Sequence, residues 1–130
     1  VYYEDTDAGG VVYYANYLKF LERARTEALI LLGFSNKKIK EDFGSLIVVK
    51  SCSIEYKIPA HLEDDLSIRS FIKSITKTSF FMNQFISRGE DKIVEAKVHL
   101  VFVNNEGKPM KIPETLFQDF KPYFCDTIKV

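Results

Sequence analysis

The spacing of apolar residues changes from helical to alternating at Gly44, dividing the chain into a helical part and a strand part. From Tyr14 to Leu32 the positions Leu18, Leu21, Arg25, Ala28/Leu29 and Leu32 recur near the helical period, with Gly33 in the place of a C-terminal cap. Phe20, Ala24, Ile30 and Leu31 widen that stripe, so this helix is expected to be covered on more than one side. Ser35 to Phe43, opened by a serine cap and bounded by Gly44, predicts a second, short helix.

Beyond Gly44 the alternation predicts four strands. Leu46, Val48, Cys52, Ile54 and Tyr56 share one parity; Leu66 and Ile68 start a second run, and Phe80, Met82 and Ile86 mark a third. Ile93 to Asn104 is the fourth, with Val94, Ala96, Val98, Leu100 and Phe102 on one face and Glu95, Lys97 and His99 on the other. Val1 to Glu4, rich in β-formers, reads as the end of a fifth. Gly89-Glu90-Asp91 and Asn104 to Gly107 have turn chemistry, while Pro59 to Asp65 is a longer polar connection. Pro113 to Phe124 reads as a terminal helix or an irregular tail, limited by Pro122. A strand, a long helix and a run of antiparallel strands indicate an α+β fold with the sheet curled around the helix. No repeat, low-complexity segment or linker divides residues 1–130, so one domain is expected.

Composition narrows the function. The 130 residues are 46% hydrophobic and 14% aromatic, enough for a core. Eighteen basic and eighteen acidic side chains cancel, leaving no overall field to gather nucleic acid or an anionic membrane. Cys52 and Cys125 form neither a disulfide framework nor a C-x-x-C motif, which fits a reducing cytoplasm. The strongest apolar run, Ala28 to Leu32, is too short to span a bilayer and is interrupted at Gly33. The chain begins at Val1 and not at methionine, so residues are expected upstream.

Candidate chemistry gathers in Glu4-Asp5-Thr6-Asp7-Ala8-Gly9-Gly10, an acidic, glycine-broken loop directly ahead of the long helix. A helix start offers unpaired N–H groups and a positive dipole end that can hold an oxyanion, and a nearby carboxylate can act on water or attack directly. Acids in such a place also serve simply as caps. Asp5 and Asp7, two apart, would point the same way in extended backbone unless the glycines break that geometry. Histidine chemistry is nearly excluded, with only His61 and His99 and no G-x-S-x-G. His99 reads as a satisfied structural side chain. His61 to Asp65 reads as a solvated turn, since its ligand types are crowded together and not spaced to converge on a metal. Glu22, Arg23, Arg25 and Glu27 are spaced for ion pairs along the helix.

The string Tyr2 to Tyr13, followed by Ala15-x-Tyr17 and Glu22-Arg23-Ala24-Arg25-Thr26-Glu27, resembles the opening of the Tol-Pal-associated acyl-CoA thioesterases. These belong to the 4-hydroxybenzoyl-CoA thioesterase branch of the hotdog fold. Tyr56 to Ala60, Thr78-Ser79 and Ile112-Pro113-Glu114 fall where that family has similar segments, so the resemblance covers most of the chain. It implies hydrolysis of acyl-CoA to a carboxylic acid and coenzyme A, without metal or bound cofactor. Asp7 matches the catalytic aspartate, as general base or nucleophile, and the Tyr14 backbone N–H matches the group that polarises the thioester carbonyl. Many members carry histidine where Tyr14 stands. Gly10, Tyr13, Tyr17, Lys77, Thr78 and Ser79 are the implied substrate-binding residues, with Tyr13 and Tyr17 also fitting a core role. Lys73 and Arg88 join Lys77 as candidates for the nucleotide phosphates. Acyl length stays open, and acyl carrier protein conjugates stand beside acyl-CoA as substrates. The resemblance further implies a homodimer or homotetramer with sites shared between subunits, which agrees with apolar residues on both parities in Phe80-Phe81 and Phe85-Ile86. Rival readings are an acyl-thioester hydratase or dehydratase, which would need a histidine near the helix, and a scaffold in an envelope-associated complex.

Overall fold

The computed structural model describes residues 1–119 and 125–129. Its long helix, α1 (Asn16–Leu31), starts after the predicted Tyr14 because the preceding residues form a turn, with the Asn16 N–H donating to the Tyr13 carbonyl at 2.9 Å. The second helix, α2 (Asn36–Phe43), is capped as its sequence requires: Ser35 Oγ accepts the Lys38 N–H at 3.0 Å, and Gly44 closes the helix at φ 64°. Four antiparallel strands follow, β1 (Leu46–Tyr56), β2 (Ser67–Ile75), β3 (Ser79–Arg88) and β4 (Asp91–Val103). A short α3 (Glu114–Asp119) shows that the tail opens as a helix, and β5 (Cys125–Lys129) ends the described chain; the Pro122 limit lies outside the described residues.

The sheet has five strands in the order β1-β4-β3-β2-β5. Its fifth member is not the expected one. Val1 to Glu4 is no strand, because Tyr3–Asp5 turns as a 3-10 helix whose Asp5 N–H bonds the Tyr2 carbonyl at 3.0 Å; β5 takes the extra place beside β2.

The single parity expected for the first run also fails, and a bulge explains it. Register slips between Val49 and Ser51, so Val49 opposes Leu100 while Cys52 opposes Val98. Ile47, Val49, Cys52, Ile54 and Tyr56 therefore share the helix-facing side, while Leu46 and Val48 lie on the other. One extra residue exchanges the faces.

The concave face packs on α1, whose Phe20, Leu21 and Ala24 are fully buried against Ile68, Ile86, Val94 and Ala96. Truncating Phe20 to alanine would cost about 3–5 kcal/mol. One buried amide ties helix to sheet. Gln84 Nε2 donates to the Leu21 carbonyl at 3.0 Å and to Ser70 Oγ at 2.9 Å, and its Oε1 accepts from Arg25 Nη1 at 2.9 Å. Arg25 thus bonds the sheet, and the ion pairs expected among Glu22, Arg23, Arg25 and Glu27 do not form among the described residues. On the convex face His99 stacks on Phe81 with ring centres 4.0 Å apart. It is not the satisfied histidine expected, since its buried Nε2 has no hydrogen-bond partner among the described residues.

Candidate active site

The loop from Asp5 to Tyr13 is closed by backbone hydrogen bonds and needs few side chains to hold its shape. The Asp7 N–H donates to the Val11 carbonyl at 2.9 Å, the Gly10 N–H to the Asp7 carbonyl at 3.1 Å, and the Tyr13 N–H to the Asp5 carbonyl at 2.9 Å. Gly10 makes the return at φ 79°, a conformation that a side chain would strain. The loop is fastened to the neighbouring segment where the Val12 N–H donates to the Ala60 carbonyl at 2.8 Å and Val11 bridges His61.

This closure separates the two aspartates. Asp5 is buried, and its Oδ2 accepts the Tyr2 N–H at 3.0 Å; Asp7 is exposed. Asp7 Oδ1 accepts the Gly9 N–H at 2.8 Å, which orients the carboxylate and leaves Oδ2 without a partner among the described residues. A Cβ at Gly9 would stand 3.2 Å from that Oδ1.

The loop delivers the chain into α1, whose first turn has no side-chain cap. The Tyr14 N–H finds no acceptor among the described residues, so the helix start carries an unspent donor beside the loop. Tyr13 and Tyr14 are exposed at 48% and 61%, which removes the core role expected for Tyr13. Tyr17 keeps it: the ring is buried, its Oη accepts the Ala60 N–H at 3.0 Å, and burial pushes its phenol above the ordinary value despite that bond. Tyr56, which the sequence did not single out as chemistry, closes the aromatic group with ring centres 6.0 Å from Tyr14 and 5.7 Å from Tyr17. Beyond Leu18 a cavity of about 410 Å³ runs between α1 and β1, lined mainly by apolar side chains with Glu22, Arg25 and Cys52.

Lys77, Thr78 and Ser79 lie elsewhere. The Lys77 carbonyl accepts the Ile112 N–H at 2.8 Å and the Thr78 carbonyl the Phe102 N–H at 2.9 Å, placing them where β2 turns into β3. Tyr56 opposes Val94 and Ser79 opposes Val101, so the two groups lie seven residue steps apart along β4. That is about 23 Å along a strand. Lys73 borders a convex-face cavity with Lys97 and His99. Arg88 is already committed, with Nη1 donating to Asp64 Oδ2 at 2.7 Å and Nη2 lying 3.7 Å from Asp91. The His61 turn is solvated as expected, with His61, Leu62, Glu63 and Asp65 exposed and the His61 N–H donating to Asp64 Oδ2 at 2.7 Å. No group of three metal-ligating side chains converges among the described residues.

Residues 1–120 match the thioesterase-like superfamily. Over 123 residues the chain is 42% identical to the acyl-CoA thioester hydrolase YbgC of Escherichia coli O157:H7, covering 93% of this chain and 91% of that protein. It is 35% identical over 129 residues to the acyl-CoA thioesterase YbgC of Helicobacter pylori strain 26695, covering 92% and 93%. Among solved structures, a probable thioesterase from Bartonella henselae superposes with a TM-score of 0.84 at 40% identity, covering 87% of this chain and 94% of that one. A 1,4-dihydroxy-2-naphthoyl-CoA thioesterase from Synechocystis superposes with a TM-score of 0.85 at 26% identity, covering 92% and 90%.

Proposed function

The chain belongs to the thioesterase-like superfamily with the hotdog fold, and from that membership we propose a full reading of its chemistry. It is an acyl-CoA thioesterase, releasing a carboxylic acid and free coenzyme A. The observation that carries the assignment of roles is the exposed Asp7 carboxylate, oriented through one oxygen by Gly9 and open at the other, on the loop that enters α1. The thioester carbonyl sits against the Tyr14 N–H, where the helix start stabilises the developing oxyanion. Asp7 Oδ2 either takes a proton from water or attacks the carbonyl itself. Single turnover in heavy-oxygen water tests the second route: hydrolysis of the anhydride at the aspartyl carbon leaves the label in the Asp7 carboxylate, whereas base catalysis puts it only in the product acid. The thiolate departs without a strong acid, so neither histidine, metal nor bound cofactor is needed. Acyl carrier protein conjugates present the same thioester and fall in the same substrate class. With Cys52 a free thiol and no described helix long and apolar enough to cross a membrane, we place the enzyme in the cytoplasm.

The working unit we propose is a homodimer, or a tetramer of two dimers. Among the described residues strand β1 pairs only with β4, and all eleven of its residues are exposed or half-buried, with Leu46, Val48, Val49 and Tyr56 among the exposed. A second copy paired antiparallel along β1 removes that open edge. It also reverses the sheet ends, carrying the partner's Lys77 toward the end of the sheet where Asp7 stands.

The test is a hydrolysis panel across acyl lengths with wild type and Asp7→Asn, run beside light scattering at assay concentration. Turnover that depends on Asp7, in a dimer or larger, is expected. Near-wild-type turnover by folded Asp7→Asn would sink the mechanism, and a fully active monomer would sink the shared site.

A further inference from the structure

Asp7 stands on a loop fastened to α1 where Asn16 Nδ2 donates to the Asp5 carbonyl at 3.0 Å, and to the neighbouring segment through Ala60. The Ala60 carbonyl takes the Val12 N–H at 2.8 Å, and Val11, which bridges His61, takes the Asp7 N–H at 2.9 Å. What holds residues 59–61 therefore sets the height of the Asp7 carboxylate over the helix start. Besides Tyr17 Oη, which accepts the Ala60 N–H at 3.0 Å, two charged groups hold them from outside the loop. Asp64 Oδ2 accepts the His61 N–H at 2.7 Å, and the Asp64 N–H returns to the His61 carbonyl at 3.1 Å, making a tight turn in which Glu63 is kept at φ 67°. A non-glycine residue takes that left-handed conformation when its surroundings impose it. Arg88, at the end of β3, then grips the turn on both sides of Ala60, donating from Nη1 to Asp64 Oδ2 at 2.7 Å and reaching the Pro59 carbonyl at 3.5 Å. Both side chains are largely covered, at 29% exposure for Arg88 and 21% for Asp64.

We infer that Asp64 and Arg88 are positioning residues for catalysis, forming a strut from the end of β3 through residues 59–61 to the Asp7 loop. The inference rests on the reading of Asp7 given above. Neither residue touches the reacting atoms; they fix where the carboxylate stands. A misplacement of about 1 Å at a reacting group can cost about 100-fold in rate. Substrate contacts made by other residues are left alone, so the loss falls on kcat and not on KM.

The experiment compares wild type, Asp64→Ala, Arg88→Met and Arg88→Lys after melting curves have shown them folded. Steady-state kinetics are combined with amide hydrogen exchange at Asp7 and Val12. Asp64→Ala and Arg88→Met should lower kcat about 10- to 100-fold with KM within about twofold, and both amides should exchange faster. Arg88→Lys should recover part of the rate, since an ammonium still pairs with Asp64 but lacks the second guanidinium nitrogen that lies beside Asp91. Folded variants with wild-type kcat and unchanged Val12 exchange would overturn the strut. Should Asp64→Ala fail to fold, Arg88→Met decides the matter alone, because it leaves the Asp64–His61 turn intact. If wild type itself hydrolyses no acyl-CoA, the functional reading falls, while the exchange rates still report on the strut.

Discussion

The two ends of the sheet are built by different means. At the Asp7 end, geometry comes from backbone hydrogen bonds and a glycine at φ 79°, so in the proposed mechanism one side chain, Asp7, carries the chemistry. At the Lys77 end the backbone carbonyls are spent on Phe102 and Ile112, and Thr76 Oγ1 lies 2.7 Å from Ser79 Oγ, leaving exposed cationic side chains as the proposed binding elements. A function concentrated in one oxygen fails at a single substitution. A function spread over screened charges fades gradually.

The sharpest way to break this contrast is Asp7→Asn. The amide keeps an acceptor for the Gly9 N–H but can neither take a proton nor attack, so kcat should fall by at least ~100-fold with the melting temperature unchanged. Next in size is Gly10→Val, with Gly33→Val as its control. Both glycines have positive φ, at 79° and 90°, and at neither would a Cβ meet an atom within 4 Å. The strain is therefore of one kind at the two sites, and only location differs. Gly10→Val should lower kcat about tenfold or more while Gly33→Val lowers it little, because only the former displaces the carboxylate. Equal losses in kcat would show that the loop does not organise catalysis in this way.

How much of this was legible in the sequence follows from the range of each interaction. The helices, their caps at Ser35 and Gly44, and the alternation of β4 are local features and were read correctly. The β1 faces were not, because a bulge at Val49/Ser51 inserts one residue without any composition signal. Val1 to Glu4 reads as strand because its β-forming tyrosines outweigh the Asp5 carboxylate, which bonds back to Tyr2 and turns Tyr3–Asp5. At the site, the placing of Asp7 ahead of the helix was legible from the acid-glycine-glycine order. The separation of buried Asp5 from exposed Asp7 was not, since it depends on the Val12 to Ala60 bond across the fold. Arg88 looked like a free cation for the same reason: its partner Asp64 is 24 residues away.

A smaller effect belongs to the far end. Lys77→Ala should raise KM about two- to fivefold with kcat unchanged, and the difference from wild type should shrink as salt rises. A kcat loss without a KM change would place Lys77 in the chemistry and erase the contrast between the ends. The Asp64 carboxyl does not complicate these assays: although burial pushes it up, the His61 N–H and Arg88 hold it below its ordinary value. Its charge, and any stability it confers, is present at neutral pH and lost only as pH falls through that lowered value.

The smallest effect is expected two residues from the largest, at Asp5→Asn. The Asp5 carboxylate is buried and accepts the Tyr2 N–H at 3.0 Å, a bond that an asparagine carbonyl oxygen can also accept. The contacts that shape the active loop come from the Asp5 backbone carbonyl, which takes the Tyr13 N–H at 2.9 Å and Asn16 Nδ2 at 3.0 Å, and these survive the change. The substitution removes a charge that faces away from Asp7 and adds one amide donor to a buried place. It should therefore lower the melting temperature by a few degrees, about 1 kcal/mol, and leave kcat within about twofold of wild type. Parallel kinetics on Asp5→Asn and Asp7→Asn check the assignment of roles within the loop, because a large kcat loss at Asp5 with the fold intact would mean that the buried carboxylate, and not the exposed one, carries the chemistry.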